Sequence, residues 1–400
     1  MNEKRYCPYS SIPHVLISFL WFFASASAFA EESLQIEADI PGGNIIVDKI
    51  EGDTVSLHQD LRDTPGHWFY WQFRVQGAQG RSLTFQFTKG NVIGVLGPAM
   101  SHDGGETWSW LGKDSVKNMS FQYLFSADAN DVRFCVSIPY LEKDLSKFLA
   151  HHESNTALEV GTLCETKKGR KVERLGIGKG RVKILLTARH HACEMIASYV
   201  LEGILEEALS DSESGKWYRH NAEILAIPFM DKDGVEDGDQ GKNRNPRDHN
   251  RDYSGESLYA STRALRELAP QWSEGKLRLA LDLHCPTLRG EHNETIYFVG
   301  SENPDNWTKI QRLSENLQSI QTGPLLYRVE DNVPFGTAWN KASNFTRGMN
   351  FGGWAQTLPG NPAATTLEVS YANANGTIVT ANSARRLGRD LARAIHTFLE

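Results

Sequence analysis

The pattern of apolar and polar positions divides the chain into a β-rich first part and a second part in which strands and helices alternate. Between about residues 34 and 139, short aromatic and β-branched runs are separated by glycine-containing turns. Residues 82–87 alternate between apolar and polar side chains at a period of two, as half-buried strands do. Closely spaced strands of this kind predict a β-sandwich of roughly 100 residues. We interpret its Trp and Tyr side chains as core.

After about Lys143 the apolar positions follow the spacing of helices and of short buried strands. Helices are predicted at 141–151, 194–209, 255–268 and 383–399, and strands at 182–186, 224–229, 277–283, 295–299 and 365–370. The predicted fold class is therefore α/β, with a mixed, mostly parallel sheet flanked by helices and an all-β sandwich in front. We place the sandwich domain at 31–142 and the second domain at 143–400.

The first thirty residues have the layout of a secretory signal peptide. Lys4 and Arg5 precede an apolar run at 15–23 that is short for a membrane span, and residues 28–30 offer an A-x-A cleavage site. An uncleaved membrane anchor is the alternative. We expect residues 1–30 to be removed, leaving a secreted or periplasmic protein with no stable membrane insertion.

The overall composition is that of a soluble globular protein, with 40% hydrophobic and 23% charged residues. The formal net charge of −7 argues against a nucleic-acid partner, which requires a basic face. The sequence does not indicate an oligomeric state.

Candidate metal ligands follow two of the predicted strands. His191 and Glu194 lie three residues apart where strand 182–186 turns into a helix, and His284 ends strand 277–283. Because the carboxyl ends of neighbouring parallel strands meet at one sheet edge, these side chains are expected to converge there. Two His and one Glu form a known catalytic zinc set, and Asp282 is placed to orient His284. Buried histidines satisfied by hydrogen bonds are the alternative.

A second His-x-x-Glu string, His220 to Glu223, also occurs in the chain. It leads into a predicted strand, where residues three apart point to opposite faces. We therefore do not interpret it as a metal site.

The order of these motifs resembles the M14 family of zinc carboxypeptidases. The family pattern is His-x-x-Glu after a strand, then Asp-x-Asn-Arg (here residues 248–251), a strand-end His and a late Glu. The β-sandwich in front resembles the cytosolic-carboxypeptidase-like branch. The resemblance covers about residues 34–400 and implies one Zn²⁺ per chain, held by His191, Glu194 and His284. The export signal departs from that branch, so a tubulin-type substrate is not implied.

The resemblance also implies roles for four further residues. Asn250 and Arg251 correspond to the pair that binds the terminal carboxylate, and a guanidinium can grip a carboxylate through two parallel bonds. Another family arginine polarises the scissile carbonyl; Arg244 is the nearest candidate, and Arg247 or Lys242 are alternatives. Glu368 resembles the general base.

Glu368 also stands out without the resemblance, because it is a lone carboxylate among apolar and β-branched residues of strand 365–370. Burying it as a charge costs several kcal/mol unless solvent or a metal site lies nearby. An outward-facing strand position is the alternative.

Four cysteines follow the signal segment: Cys135, Cys164, Cys193 and Cys285. Cys193 and Cys285 adjoin candidate ligands that must meet, so we hypothesise bridges Cys193–Cys285 and Cys135–Cys164. Buried free thiols and thiolate ligation of zinc are the alternatives.

We therefore expect a secreted zinc metallocarboxypeptidase, a hydrolase that cleaves a C-terminal peptide or isopeptide bond. Glu368 would activate a zinc-bound water, and Asn250 and Arg251 would hold the carboxylate of a peptide or protein substrate. A cell-wall peptide amidase or an N-acyl amino-acid deacylase would use the same zinc site. A non-enzymatic binding module is the remaining alternative.

Overall fold

The N-terminal part of the chain is built from short strands in two sheets. The computed structural model describes residues 1–6, 8, 33–290 and 292–400. The first ten strands are β1 (Gln35–Glu37), β2 (Ile46–Glu51), β3 (Thr54–His58), β4 (Gln72–Gln76), β5 (Ser82–Phe87), β6 (Ala99–Ser101), β7 (Ser109–Trp110), β8 (Val116–Lys117), β9 (Ser120–Leu124) and β10 (Val132–Cys135). They form two five-stranded sheets, ordered β1-β4-β10-β6-β7 and β2-β3-β5-β9-β8. Neighbours are antiparallel except β3 and β5.

Aromatic side chains from both sheets fill the space between them. Phe73 and Phe134, from one sheet, contact Phe85 of the other at ring-centroid distances of 5.3 and 5.5 Å. The same Phe134 ring lies 5.2 Å from Phe121. All four rings are fully buried, and each contributes about 1.5–3 kcal/mol by leaving water. The predicted β-sandwich is thus confirmed, with these four rings in its core.

The rest of the chain forms a seven-stranded sheet, ordered β11-β12-β14-β13-β15-β17-β16. Its strands are β11 (Leu158–Glu165), β12 (Lys171–Ile177), β13 (Val182–Ala188), β14 (Ala222–Ile227), β15 (Leu277–His284), β16 (Ile296–Phe298) and β17 (Ala363–Val369). The four central strands are parallel, and the outer strands join antiparallel. A separate small hairpin pairs β18 (Asn373–Ala374) with β19 (Thr377–Ile378).

Helices cover both faces of this sheet, as the predicted α/β class requires. The helices are α1 (Glu142–His151), α2 (Met195–Leu209), α3 (Glu213–Asn221), α4 (Lys232–Asp237), α5 (Ala260–Ser273), α6 (Pro304–Ile320), α7 (Phe351–Ala355) and α8 (Ala381–Leu399). Helices α2, α6 and α8 share one apolar core with the alternate residues Leu279 and Leu281 of β15. Helices α5 and α7 share a second core with Leu277 and Ala280. Both faces of the central strands are therefore apolar, which explains their unbroken hydrophobic runs.

One predicted helix begins later than expected. The prediction began a helix at residue 255, whereas α5 begins at Ala260. The carboxylate of Asp252 accepts hydrogen bonds from the backbone N–H groups of Leu258 and Tyr259, which hold the preceding segment in a turn. Helices α3, α4, α6 and α7 and strands β11 and β12 were not predicted.

Residues 33–400 form one compact unit, and the domain boundary at 142/143 remains a prediction. The predicted signal peptide at 1–30 lies mostly outside the described residues, which include only 1–6 and 8 of this segment. Within the described part of the chain, no helix has the length and apolarity needed to cross a membrane.

Candidate active site

Two neighbouring strand ends bring the candidate metal ligands together. Strand β13 ends at Ala188, which pairs with Leu283, the residue before His284 at the end of β15. The turn from β13 into α2 carries His191 and Glu194. Within it the buried Arg189 guanidinium donates to the carbonyl of Ala192 at 3.1 Å and so holds the turn in shape. Backbone pairing therefore places the turn and His284 at one sheet edge.

The three side chains converge on a common point. Nδ1 of His191 lies 2.9 Å from Oε1 of Glu194, and Nδ1 of His284 lies 2.7 Å from Oε2 of the same carboxylate. One ligand atom from each residue lies within 4.8 Å of the other two. Oε2 of Glu194 is buried and makes no hydrogen bond of acceptable geometry. Donors of a tetrahedral zinc lie roughly 3.3 Å apart, so this set fits a zinc ion.

Buried carboxylates contact Nε2 of both imidazoles, the ring nitrogen that faces away from Glu194. Nε2 of His191 lies 3.2 Å from each oxygen of Asp248, and Nε2 of His284 lies 2.5 Å from Oδ2 of Asp282. Although burial raises the pKa of both carboxyls, their imidazole partners lower it below the ordinary value. Carboxylates in this position orient imidazole ligands and increase their basicity.

His190, Asp282 and His284 form a second compact group of potential ligand atoms. The Asp282 carboxylate accepts from Nδ1 of His190 at 2.8 Å and from the hydroxyl of Thr187 at 2.8 Å, and all of these side chains are buried. Nε2 of His190 lies 2.7 Å from the hydroxyl of Tyr253. The group is saturated by its own hydrogen bonds, so it supports His284 and leaves no open coordination position.

Glu368 lies beside this group on β17, paired with His284 on one side and with Tyr297 on the other. Its side chain is buried, and Oε2 has no hydrogen-bond partner. Burial raises the pKa of Glu368 to about 7, and the nearby Glu194 carboxylate acts in the same direction. A carboxylate with a pKa near neutrality is suited to accept and return a proton.

A cavity of about 500 Å³ opens over these residues, and we call it the metal-side cavity. Its lining includes His191, His284, Glu368, Lys242, Asn250 and Arg251. Trp68, from the N-terminal part of the chain, also lines it, although the sequence led us to interpret the Trp residues of that part as core. Only the tertiary fold brings Trp68 to this cavity, and no local sequence signal marked it.

Asn250 and Arg251 are held in a short 3₁₀ turn at 249–251. Oδ1 of Asn250 accepts the backbone N–H of Phe351 at 2.9 Å, and its Nδ2 lies 3.2 Å from Nε2 of His284. The Arg251 guanidinium donates to the carbonyls of Asn250 at 2.7 Å and Asn344 at 3.2 Å and lies 5.3 Å from the centre of the Phe345 ring. Its hydrogen bonds go to neutral carbonyls, so its positive charge remains available to an anionic ligand.

Arg244 does not line this cavity, contrary to the role that we considered for it. Its guanidinium donates to Asp239 at 2.7 Å and to Asp231 at 2.5 Å, and it lies 3.6 Å from Asp63. The side chain is 12% exposed. Three buried carboxylates draw this cation away from the cavity, which makes it a structural group. Arg247, the second alternative, pairs with Asp252 at 2.8 Å and does not line the cavity either.

Lys242, the third alternative for the carbonyl-polarising cation, does line the metal-side cavity. Its Nζ lies 2.6 Å from Oε1 of Glu194 and donates to the carbonyl of Cys285 at 2.9 Å. The ammonium also lies 5.4 Å from the centre of the Trp68 ring. Although burial lowers the pKa of Lys242, the Glu194 carboxylate raises it above the ordinary value, so the group stays charged.

The hypothesised disulfides are not formed, because all four cysteines are free thiols. Cys135 ends β10 of the sandwich, whereas Cys164 lies on β11, an edge strand of the other sheet. Sγ of Cys193 lies 3.8 Å from the Tyr371 hydroxyl. Burial raises the pKa of Cys193 to about 12, and its sulfur belongs to neither group of potential metal-ligand atoms found among the described residues.

Comparison with known proteins agrees with this geometry. Residues 145–264 match the family model described as Peptidase_M14, zinc carboxypeptidase, and this segment contains His191, Glu194, Asn250 and Arg251. An uncharacterized protein from Zymomonas mobilis is 27% identical over 212 residues, which cover 50% of this chain and 54% of that protein. Cytosolic carboxypeptidase 6 from Caenorhabditis elegans is 25% identical over 287 residues, 63% of this chain and 62% of that protein.

Among solved structures, a metallo-carboxypeptidase from Burkholderia cenocepacia superposes with a TM-score of 0.71 at 17% identity, covering 92% of this chain and 99% of that one. A metallo-carboxypeptidase from Pseudomonas aeruginosa, in complex with (2-guanidinoethylmercapto)succinic acid, gives 0.68 at 22% identity, covering 91% and 99%. These similarities establish the carboxypeptidase fold.

The chain spans about half to three-fifths of the length of the two curated relatives described. Residues 145–264 match the M14 family of zinc carboxypeptidases, and the chain has cytosolic carboxypeptidase relatives and the carboxypeptidase fold.

Proposed function

We propose that this protein is a zinc-dependent metallocarboxypeptidase that hydrolyses the last peptide bond of substrates with a free terminal carboxylate. The observation that carries the proposal is the convergence of His191, Glu194 and His284 beside Glu368 in one cavity. Oε2 of Glu194 is buried without a hydrogen bond of acceptable geometry, which supports zinc as the occupant, because such a carboxylate oxygen is costly without a cation. A bound zinc ion supplies a Lewis acid that activates water and polarises a carbonyl.

The protein's own groups perform the remaining steps of the proposed reaction. Glu368 takes a proton from the attacking water and delivers it to the leaving nitrogen, so that a C–O bond forms as the C–N bond breaks. Lys242 is the cation closest to the ligand set, and we assign to it the polarisation of the scissile carbonyl. Desolvation inside the cavity strengthens both effects.

Asn250 and Arg251 provide the selection for a free carboxylate. The Arg251 guanidinium lies in the same cavity as Glu368, and among the described residues its hydrogen bonds go to neutral carbonyls. A terminal carboxylate bound there would direct the last peptide bond towards Glu368 and His284. Holding the bond in one orientation removes much of the entropic cost of reaction.

The proposal is tested with three peptide substrates and the metal content of the purified protein. We expect about one zinc per chain and release of the C-terminal residue from a tripeptide with a free carboxylate, with much slower release from its C-terminal amide. A muropeptide and an N-acyl amino acid serve as competitors that represent amidase and deacylase activity. Faster cleavage of either competitor, or a zinc-free protein of full activity, would refute the proposal.

A further inference from the structure

A second cavity of about 780 Å³ adjoins the metal-side cavity. The two share four lining residues: Val299, Phe345, Asn350 and Thr366. Thr366 and Glu368 point to the same face of β17, since strand side chains alternate with a period of two, and lie roughly 7 Å apart along the strand. The second cavity therefore begins one strand repeat from the proposed general base.

Arg251, which we propose to bind the substrate's terminal carboxylate, lies at the junction of the two cavities. Arg251 lines the metal-side cavity, and its guanidinium lies over the ring of Phe345, which lines both. A substrate whose terminal carboxylate is bound by Arg251, with its scissile carbonyl near Glu368, has its last side chain at this junction. The second cavity is the adjoining space open to that side chain.

The charges of the two cavities differ. The metal-side cavity contains the cations of Lys242 and Arg251. The second cavity is lined by glycine backbone, neutral polar groups such as Ser301 and Gln356, and apolar side chains such as Met349. All of its lining residues belong to the described part of the chain, and among them only Glu302, an exposed residue, is ionisable.

From this lining we propose that the second cavity selects the C-terminal side chain of the substrate by charge, accepting neutral and cationic side chains and excluding acidic ones. This inference rests on the proposed function. An acidic side chain would lose hydration there without gaining a cationic partner, and Glu302 would repel it. A neutral amide meets hydroxyl and amide groups, and a lysine or arginine side chain meets the Glu302 carboxylate.

Gly352 offers a direct way to change this charge. It lies in helix α7 and lines the second cavity, and a Cβ atom added at this position meets nothing within 4 Å. A longer side chain at 352 therefore extends into open space. Gly352→Lys introduces a cation into the cavity, and Gly352→Met introduces a neutral side chain of similar length as the matched control.

The test compares tripeptides that differ only in a C-terminal Gln, Lys or Glu. Binding is measured by calorimetry on zinc-loaded Glu368→Gln protein, both alone and combined with each substitution of Gly352. The kinetic constant kcat/KM is measured on the corresponding proteins that retain Glu368. We expect Gln and Lys to be preferred over Glu at least about tenfold in both measurements. Gly352→Lys should reduce the Gln-to-Glu ratio at least about tenfold, whereas Gly352→Met should change the affinities for Gln and Glu together.

Equal binding of the Gln and Glu peptides, a preference for Glu, or a ratio that responds identically to Lys and Met at position 352 would overturn the inference. So would failure to bind any of the three peptides. Charge-selective binding without hydrolysis by the wild-type protein would contradict the proposed function alone. Hydrolysis of all three peptides at equal rates would contradict the charge selection alone.

Discussion

His284 and Glu368 occupy paired positions on the neighbouring parallel strands β15 and β17. Paired residues on adjacent strands point to the same face and lie roughly 5 Å apart. The proposed metal ligand and the proposed base are thus fixed relative to each other by backbone hydrogen bonds rather than by flexible loops. Such rigid placement favours precise proton transfer.

The first prediction concerns this base. Glu368→Gln should retain zinc and fold normally but lose about 10²–10⁴-fold in kcat, because the amide has the shape of the carboxylate and cannot accept the proton. Elemental analysis and steady-state kinetics on a tripeptide measure the two properties. A variant with activity within a few-fold of wild type would show that another group is the base.

The second prediction concerns the metal ligands and uses the second His-x-x-Glu string as a control. His284→Ala should reduce bound zinc from one per chain to nearly none and abolish the rise in melting temperature on adding zinc. His220→Ala should leave both unchanged, because His220 is exposed at the end of α3 and its ring contacts the carbonyl of Lys216. Equal loss of zinc in both variants would contradict the assignment.

The third prediction tests the proposed binding of the substrate's terminal carboxylate by Arg251. Arg251→Ala should lower kcat/KM for a peptide with a free carboxylate by about 10–150-fold, the effect of removing hydrogen bonds worth about 1.5–3 kcal/mol to a charged group. For the slow cleavage of the C-terminal amide, kcat/KM should be the same in wild type and variant, because the amide has no carboxylate for Arg251 to bind. An equal penalty on both peptides would indicate a structural role for Arg251 instead.

The fourth prediction separates a structural arginine from a substrate-binding one. Arg244→Met leaves the buried carboxylates of Asp231 and Asp239 without their cation and should lower the free energy of unfolding by about 3–5 kcal/mol. Urea denaturation followed by circular dichroism measures the change. A raised KM at unchanged stability would return Arg244 to the substrate-binding role considered from the sequence.

The fifth prediction concerns the dependence of stability on pH. Burial lowers the pKa of His249 to about 4, from an ordinary value of 6.5, although the Asp231 carboxylate opposes the shift. As the pH falls below 6.5, the unfolded chain binds a proton at this position before the folded chain does. The free energy of unfolding therefore includes the full contribution of His249 above pH 6.5. It falls by up to about 3 kcal/mol as the pH approaches 4.

His249→Phe is the matched variant for this measurement. Phenylalanine preserves the stacking on Tyr259, whose ring centroid lies 3.5 Å away, but cannot titrate. The free energy of unfolding of both proteins is measured with a chelator present. Between pH 7 and pH 4 it should fall more for the wild type than for the variant. A difference independent of pH would show that His249 is not buried as a neutral group.

The amino-acid sequence by itself determined the central strands, several of the long helices and the order of the candidate residues. Apolar periodicity depends on local geometry, so the strands around Leu185 and Leu281 and the long helix after Glu194 could be predicted without knowing their neighbours. The hydrogen-bonded register of parallel strands then made it predictable that His191, Glu194 and His284 would meet at one edge.

Tertiary structure alone decided which groups face the cavity. Arg244 and Lys242 are two residues apart, and nothing local distinguishes them. The carboxylates of Asp63, Asp231 and Asp239 come from three separate segments and bind Arg244, which leaves Lys242 as the cation beside Glu194. The arrival of Trp68 at the cavity and the presence of Glu302 as the one ionisable residue among the described lining of the second cavity depend equally on contacts between distant segments. Local periodicity carries no information about such contacts, because they are set by how the folded elements pack.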